Sequence, residues 1–404
     1  MKQNVTFVSG NVSTTERMSS KEKWIVFSFF LAVFIVGLDS FIISPLLAVI
    51  GKGLHTTTQG MGWAVTLYAA FYAIGAPIIA PFSEKSSRKK MIMAGLAVFT
   101  MATISCGFAN QLWFFYAARA LAGLGAAMFT PNVYAYIGGN FNREQVGKVM
   151  GMVMAALSLS IAVGVPIGSF IAGSTSWNWT FWISGIISLI ALFIIMVSVK
   201  KDIPSNRAAN RNIFKHYQNI IAKKQAWLGL FMMLFWMYSF YAIYTFLGVY
   251  IENTFSLSTN RIGLVFIAYG LSNFASSFFG GWISKPLGMK KTIILSGLVC
   301  TVLYLLLALT NHSIVLFIIV LALVAFFQGV GVPQLTTYNA VVLPESRSTM
   351  TSLSNSFLYL GLTLGSSVGG YLIQSYSFLV LSIVSIVSIL ISVFISKAVL
   401  AKNL

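Results

Sequence analysis

Residues Trp24 to Ile50 read WIVFSFFLAVFIVGLDSFIISPLLAVI, and the reading of this stretch decides the fold. A membrane-spanning helix needs roughly 20 mostly apolar residues, and the stretch meets that length while carrying one carboxylate, Asp39, well inside it. An ionisable group at such depth costs roughly a few kcal/mol or more unless it faces protein, water or a partner charge. Asp39 is therefore expected to face a cavity and not lipid.

Eleven further apolar segments follow, each bounded by polar, Gly, Pro or charged residues, at 61–82, 91–109, 112–137, 147–173, 179–199, 226–250, 262–284, 292–310, 314–341, 350–374 and 378–396. The chain has 404 residues, of which 57% are hydrophobic and 8% charged, far from the quarter or so of charged residues in soluble domains. With a mean hydropathy of +0.85, it reads as an all-α polytopic membrane protein with twelve transmembrane helices. The first twenty residues are polar, without the apolar core of a signal peptide, so span 1 is expected to direct insertion itself. Cys106 and Cys300 sit in separate apolar segments without disulfide or metal-ligand spacing. Both are expected to be buried and without a role.

The net charge of +18 would suggest nucleic acid in a soluble protein. Topology gives another account. With both termini inside, twenty-three of the 26 Lys and Arg residues fall in cytoplasmic segments, Lys52 and Arg261 outside, and Arg119 within a span. Cytoplasmic loops are where Lys and Arg accumulate. The expected setting is thus the cell membrane, crossed many times with both termini cytoplasmic. The lipid bilayer is a partner and nucleic acid is not.

The longest polar interval separates spans 6 and 7. It divides the chain into a cytoplasmic tail (1–23), a six-helix bundle (24–199), a basic cytoplasmic linker (200–225), a second bundle (226–396) and a tail (397–404). The halves share features expected of an internal repeat, giving two pseudo-symmetric bundles. Span 2 ends APFSEKSSRKK (Ala80 to Lys90) and span 8 ends GWISKPLGMKK (Gly281 to Lys291). Span 4 holds GLG at Gly123 to Gly125, and span 10 holds GVG at Gly329 to Gly331. Gly164 and Gly168 in span 5 are matched in span 11 by Gly361, Gly365 and Gly369 at the same spacing. Small residues one turn apart let helix backbones approach closely in lipid.

On these residues the whole chain resembles the major facilitator superfamily, and within it the twelve-span drug:proton antiporter family. The family's loop between helices 2 and 3, G-x-L-A-D-R-x-G-R-K, corresponds to Ala80 to Lys89: the acid (Glu84) and the basic cluster (Lys85, Arg88, Lys89) are kept and both glycines are lost. The second copy keeps Gly281, Gly288 and Lys290 but has Lys285 at the acid's place. The resemblance implies a loop that governs the conformation of the two halves. Helix 4 is similar to the family's R-x-x-x-G-x-G-A-A element, with Arg119, Gly123, Gly125, Ala126 and Ala127 in register, which implies that Arg119 serves proton coupling. Gly164, Pro166 and Gly168, followed by Trp177, Trp179, Phe181 and Trp182, look more like the subgroup of sugar and purine exporters than like G-P-x-x-G-G.

Of the eight acids, only Asp39 lies in a span, which makes it the leading proton site. Desolvation raises a carboxylic acid's pKa and a neighbouring arginine lowers it, so moving the arginine or admitting water loads and unloads a proton. Asp39 lies about 22 Å along its helix from Trp24, and Arg119 about 10 Å from Leu112, entering from the other face. Both thus reach similar depth and are expected to interact directly or through water. A static pair that only orders helices 1 and 4 is the plainer reading. Arg119 could instead bind an anionic group of the substrate, or Asp39 a cationic one.

The candidate cavity residues are Asn132 and Tyr134 in span 4, Trp236, Tyr241 and Tyr244 in span 7, Asn273 in span 8, Gln328 in span 10, and Asn355 and Tyr359 in span 11. Trp236, Phe240 and Tyr244 recur every four residues and could wall a planar ligand, although such stripes more often serve packing. Pro45, Pro77, Pro166 and Pro333 are expected to kink their helices. No metal-ligand cluster or phosphate-binding loop occurs, so no enzyme activity, cofactor or metal is expected and transport must draw on an ion gradient. The expected function is export of a small amphipathic compound in exchange for protons by a monomer with alternating access. The alternative is proton-linked or facilitated transport of a metabolite such as a sugar or nucleoside; a membrane enzyme or channel is the weaker alternative class.

Overall fold

The structure, a computed structural model, describes residues 18–200 and 218–399, and among them every regular element is helical. Residues 1–17 of the expected tail, most of the linker and the last residues lie outside the described residues. Helix α1 (Ser20–Phe41) opens on a capping box, in which Ser19 Oγ accepts from the Glu22 N–H at 3.2 Å and the Glu22 carboxylate accepts from the Ser19 N–H at 2.7 Å. Two otherwise orphaned donors are thereby satisfied.

The helix ends four residues before Pro45, which has no N–H to give to Phe41 and whose ring crowds that carbonyl. α2 (Ile43–Gly53) resumes beyond Ile42. The stretch expected as one kinked span is two helices. α3 (Thr58–Lys85), α4 (Arg88–Gly107) and α5 (Leu112–Asn140) follow; α6 (Arg143–Leu159) and α7 (Val165–Ser174) are joined by a π-helical turn, Ser160–Gly164, just ahead of Pro166; α8 (Trp177–Ser198) completes the first bundle. Pro77 stays inside a continuous α3.

The second bundle contains α9 (Lys224–Phe255), α10 (Thr259–Leu309), α11 (Ile314–Val341), α12 (Arg347–Ser375) and α13 (Phe378–Val399), with Pro333 inside a continuous α11. A straight α10 of 51 residues would be about 76 Å long, more than twice the roughly 30 Å hydrocarbon core. It is broken at Gly288, where φ 72° and ψ 162° are values that glycine adopts readily. Among the described residues, eleven helices are long and apolar enough to cross a membrane. Because α10 crosses twice, as arms 259–287 and 289–309, the crossings among the described residues number twelve.

The two halves repeat the same pairings: crossing 1 packs on crossings 5 and 6, as 7 does on 11 and 12, and crossing 3 packs on 4 and 6, as 9 does on 10 and 12. Between the bundles α3 packs on α12, α7 on α10, and α2 on α9. An even number of crossings places the ends of α1 and α13 on one face, called here the termini face, together with the interval between α8 and α9. The opposite face carries the turns after α2 and α9.

The bonds that join the bundles cluster towards this far face. Lys52 Nζ reaches Glu252 Oε1 at 2.8 Å, the Gln59 N–H donates to Gln374 Oε1 at 3.0 Å, and the Thr66 and Ser366 hydroxyls are 2.8 Å apart. Glycine makes the approach possible. A Cβ on Gly248 would overlap the Ser44 carbonyl and Pro45, and one on Gly270 would overlap Ala162 in the π-helical turn. Towards the termini face, a Cβ on Gly138, Gly139, Gly147, Gly151 or Gly281 would meet nothing within 4 Å.

Candidate functional site

Asp39, half a turn before α1 ends, and Arg119, two turns into α5, meet directly: Arg119 Nη1 donates to Asp39 Oδ2 at 2.6 Å. Each side chain is 1% exposed, and among the described residues they are the only buried charged side chains. Taking two charges out of water is tolerable only when each answers the other. The ring of Tyr68, from α3, covers the guanidinium, its centroid 4.5 Å from the central carbon. A cation over an aromatic face adds attraction where water is excluded.

The backbone explains how Tyr68 gets there. One turn beyond Arg119, a Cβ on Gly123 would overlap the Tyr68 carbonyl, so glycine lets α3 settle against α5. Gly125 faces α4, where a Cβ would stand 2.8 Å from the Gly95 carbonyl. Two polar atoms of the pair have no hydrogen-bond partner among the described residues, Asp39 Oδ1 and Arg119 Nε. The Cys106 thiol lies beside the guanidinium, closer to the candidate chemistry than its sequence context suggested.

The pair is linked to the boundary between the bundles. The Tyr68 hydroxyl is 3.0 Å from Ser40 Oγ, and Ser40 lines a small, partly open cavity with Ser44, Tyr241, Tyr244 and Thr245. Ile43, Val65 and Leu362 supply the apolar part of a space with room for about one water molecule. Both bundles contribute walls, and the break in the first crossing supplies part of the chemistry. The Tyr244 hydroxyl donates to the Phe41 carbonyl at 3.4 Å, the very group that Pro45 leaves without an intrahelical donor. Ser44 donates to the Tyr244 carbonyl in return. Phe41 stacks on Tyr241 at 6.5 Å between centroids and meets Tyr244 edge-on at 5.4 Å.

The other expected cavity residues are distributed more widely. Tyr359 stacks on Tyr72 at 3.5 Å across the bundle boundary, while Tyr134 and Asn355 are half-buried on α5 and α12. Trp236 turns into the second bundle, where its Nε1 donates to Gln328 Oε1 at 2.5 Å, and Gln328 Nε2 donates to the Tyr304 hydroxyl at 2.5 Å. Asn273 donates to the Ala325 carbonyl at 3.5 Å within the same bundle. Asn132 lies towards the termini face, where Arg88 Nη1 donates to its Oδ1 at 3.1 Å and to Ser83 Oγ at 2.9 Å. Lys89 donates to the Met196 carbonyl at 2.7 Å, so the start of α4 is tied to α5 and α8. The side chains of Glu84 and Lys85 lie outside the described residues.

Four further glycines named from the sequence lie against neighbouring helices. A Cβ on Gly164 would stand 3.0 Å from Phe34, on Gly168 2.7 Å from Ile42, on Gly361 2.7 Å from the Leu234 carbonyl and on Gly365 2.9 Å from the Ala242 nitrogen. Sequence reasoning passed over Ser40, Phe41, Tyr68 and Thr245. A usable signal existed for one of them, because a proline at 45 frees the carbonyl at 41.

A family profile described as the Major Facilitator Superfamily matches residues 29–260 and 230–402. The chain is 32% identical over 352 residues to the uncharacterized MFS-type transporter YceJ of Bacillus subtilis (strain 168), covering 87% of this chain and 89% of that protein. It is 25% identical to Multidrug resistance protein 2 of the same organism, over 92% of this chain and 96% of that one. Among solved structures, a bacterial homologue of the human lysosomal transporter Spinster superposes with a TM-score of 0.74 at 14% identity, covering 95% of this chain and 99% of that one.

Proposed function

Since the chain belongs to the major facilitator superfamily and is a multi-pass membrane transporter of that family, we propose that it exports a small amphipathic compound across the cell membrane in exchange for protons. The observation that carries this reading is the buried Asp39–Arg119 pair, joined through Tyr68 and Ser40 to a cavity between the bundles. A proton on Asp39 Oδ1, the oxygen without a partner, would neutralise the carboxylate and weaken its hold on Arg119. Arg119 would then shift under Tyr68, and the Tyr68–Ser40 link would carry that shift to the cavity wall. Movement of a packed side chain can bias the bundles between two arrangements without any direct contact between proton and substrate.

The termini face is cytoplasmic in this reading, supported by the Lys and Arg residues gathered there. The far-face bonds and the open space around the termini-face glycines fit a cavity that opens to the cytoplasm. Export is favoured over uptake by the similarity to Multidrug resistance protein 2. The hydroxyl-rich, uncharged lining favours a second reading, transport of a neutral metabolite such as a sugar or nucleoside.

The test uses inverted membrane vesicles with an imposed pH gradient and two dyes, neutral Nile red and cationic ethidium. Gradient-driven uptake by the unaltered protein that Asp39→Asn abolishes is the expected result. Uptake by Asp39→Asn with the same gradient dependence would overturn the coupling role.

A further inference from the structure

We propose that the turn between the two arms of α10 docks an anionic phospholipid of the leaflet at the termini face, its headgroup on Lys285, Lys290 and Lys291 and its acyl chains against Phe279 and Trp282. The two copies of the internal repeat differ at this place. In the first copy the protein itself takes up the cations: Arg88 donates to Asn132 and Ser83, and Lys89 to the Met196 carbonyl. In the second, Lys285 stands at the acid's place, and Lys290 and Lys291 follow it within a few residues. None of these three lysines has an ion-pair or hydrogen-bond partner among the described residues.

The neighbouring crossings have no counter-charge to offer. No Asp or Glu occurs between Glu252 and Glu345; Glu252 is paired with Lys52, and Glu345 forms no ion pair among the described residues. Orientation in the membrane would be served by lysines anywhere in such a turn. What marks a lipid seat is the apolar surface that continues from them.

Phe279, Trp282 and Lys285 follow at three-residue spacing, so they share one face of the first arm. Trp282 is 77% exposed, more than any other large apolar side chain among the described residues, and meets Phe279 edge-on at 6.0 Å between centroids. A Cβ on Gly281 or Gly288 would meet nothing within 4 Å, which leaves room beside the turn. Trp282 lies about 9 Å of helix from the break at Gly288, and tryptophan is enriched at the level of lipid headgroups. Lysines just beyond that level attract anionic lipid. A phosphodiester there would supply the negative charge that Glu84 brings to the first copy's sequence.

The experiment reads Trp282 in the purified full-length protein, reconstituted in phosphatidylcholine bilayers that contain either phosphatidylcholine or phosphatidylglycerol with dibrominated chains. Bromine quenches tryptophan at contact, and the emission that Trp282→Phe removes isolates this site from the other tryptophans. The expected result is an apparent binding constant at Trp282 about tenfold higher for phosphatidylglycerol than for phosphatidylcholine. Lys285→Gln, Lys290→Gln and Lys291→Gln together are expected to cut that preference to within about twofold, and the corresponding Lys→Arg changes to keep it. Equal quenching by the two lipids in the unaltered protein overturns the proposal, and so does a preference that the glutamine variant retains. Loss of the preference on adding millimolar inorganic phosphate, at constant ionic strength, would assign the lysines to a soluble anion and also overturn it.

Discussion

At the scale of single residues, the Asp39–Arg119 pair sets up a test that separates structure from function. Removing one partner of a buried pair leaves the other uncompensated, at roughly 3–5 kcal/mol. Asp39→Ala is therefore expected to lower the unfolding midpoint in detergent sharply, because Arg119 is 1% exposed and has no route to water. Asp39→Asn combined with Arg119→Gln removes both charges and keeps hydrogen-bonding atoms in both places. It is expected to be more stable than either Asp39→Ala or Arg119→Ala, while transport loses its dependence on the pH gradient. A double variant no more stable than the single ones would mean that the pair contributes nothing beyond its individual side chains. An interaction of the two, direct or through water, was an expectation the sequence supported, because two lone charges at matching depth in a bilayer have few other places to go. Tyr68 was not legible, since nothing in VTLYAAF marks one tyrosine among sixteen as the cover of a guanidinium.

At the scale of helices, glycines divide into those that allow contact and those that face open space, and the two kinds predict opposite responses. Gly147→Ala replaces a helical glycine whose Cβ position is empty, so it is expected to stabilise by up to about 1 kcal/mol through helix propensity. Gly270→Ala places a methyl onto Ala162 in the π-helical turn, forcing α10 away from α6 and α7. It is expected to lower the unfolding midpoint despite the same gain in propensity, and equal midpoints for the two variants would contradict the packing described. Apolar runs bounded by charge located every crossing in the sequence, because length and hydropathy report directly on the bilayer. The break at Ile42, the π-helical turn and the unbroken helices around Pro77 and Pro333 were hidden. A proline removes one bond wherever it falls, and whether the helix bends depends on which neighbour takes the freed carbonyl. At Phe41 that neighbour is Tyr244, two hundred residues away in sequence. Trp236 shows the same limit, since a four-residue stripe does not reveal that the tryptophan turns towards Gln328 while Tyr244 turns towards the other bundle.

At the scale of the whole molecule, the Lys52–Glu252 bridge joins a residue near the end of α2 to one near the end of α9. An exposed ion pair contributes about 0.2–1 kcal/mol, which shifts a two-state equilibrium by roughly 1.4- to 5-fold. Lys52→Ala is expected to raise hydrogen–deuterium exchange in the far-face turns by a factor in that range, high salt to mimic it, and the swap Lys52→Glu with Glu252→Lys to reverse it. Exchange that responds to neither Lys52→Ala nor high salt would remove the bridge from any part in holding the far face together. One last feature bears on how such motions are to be followed. Cys106 and Cys300 are both free and buried, one in each bundle. Thiol-directed labels need an accessible thiolate, so the native chain already serves as a silent background for them. A single cysteine placed at Gly138 or Gly281, in the open space of the termini face, would carry the only reactive fluorophore or cross-linker, without the losses of packing that come with a cysteine-free variant.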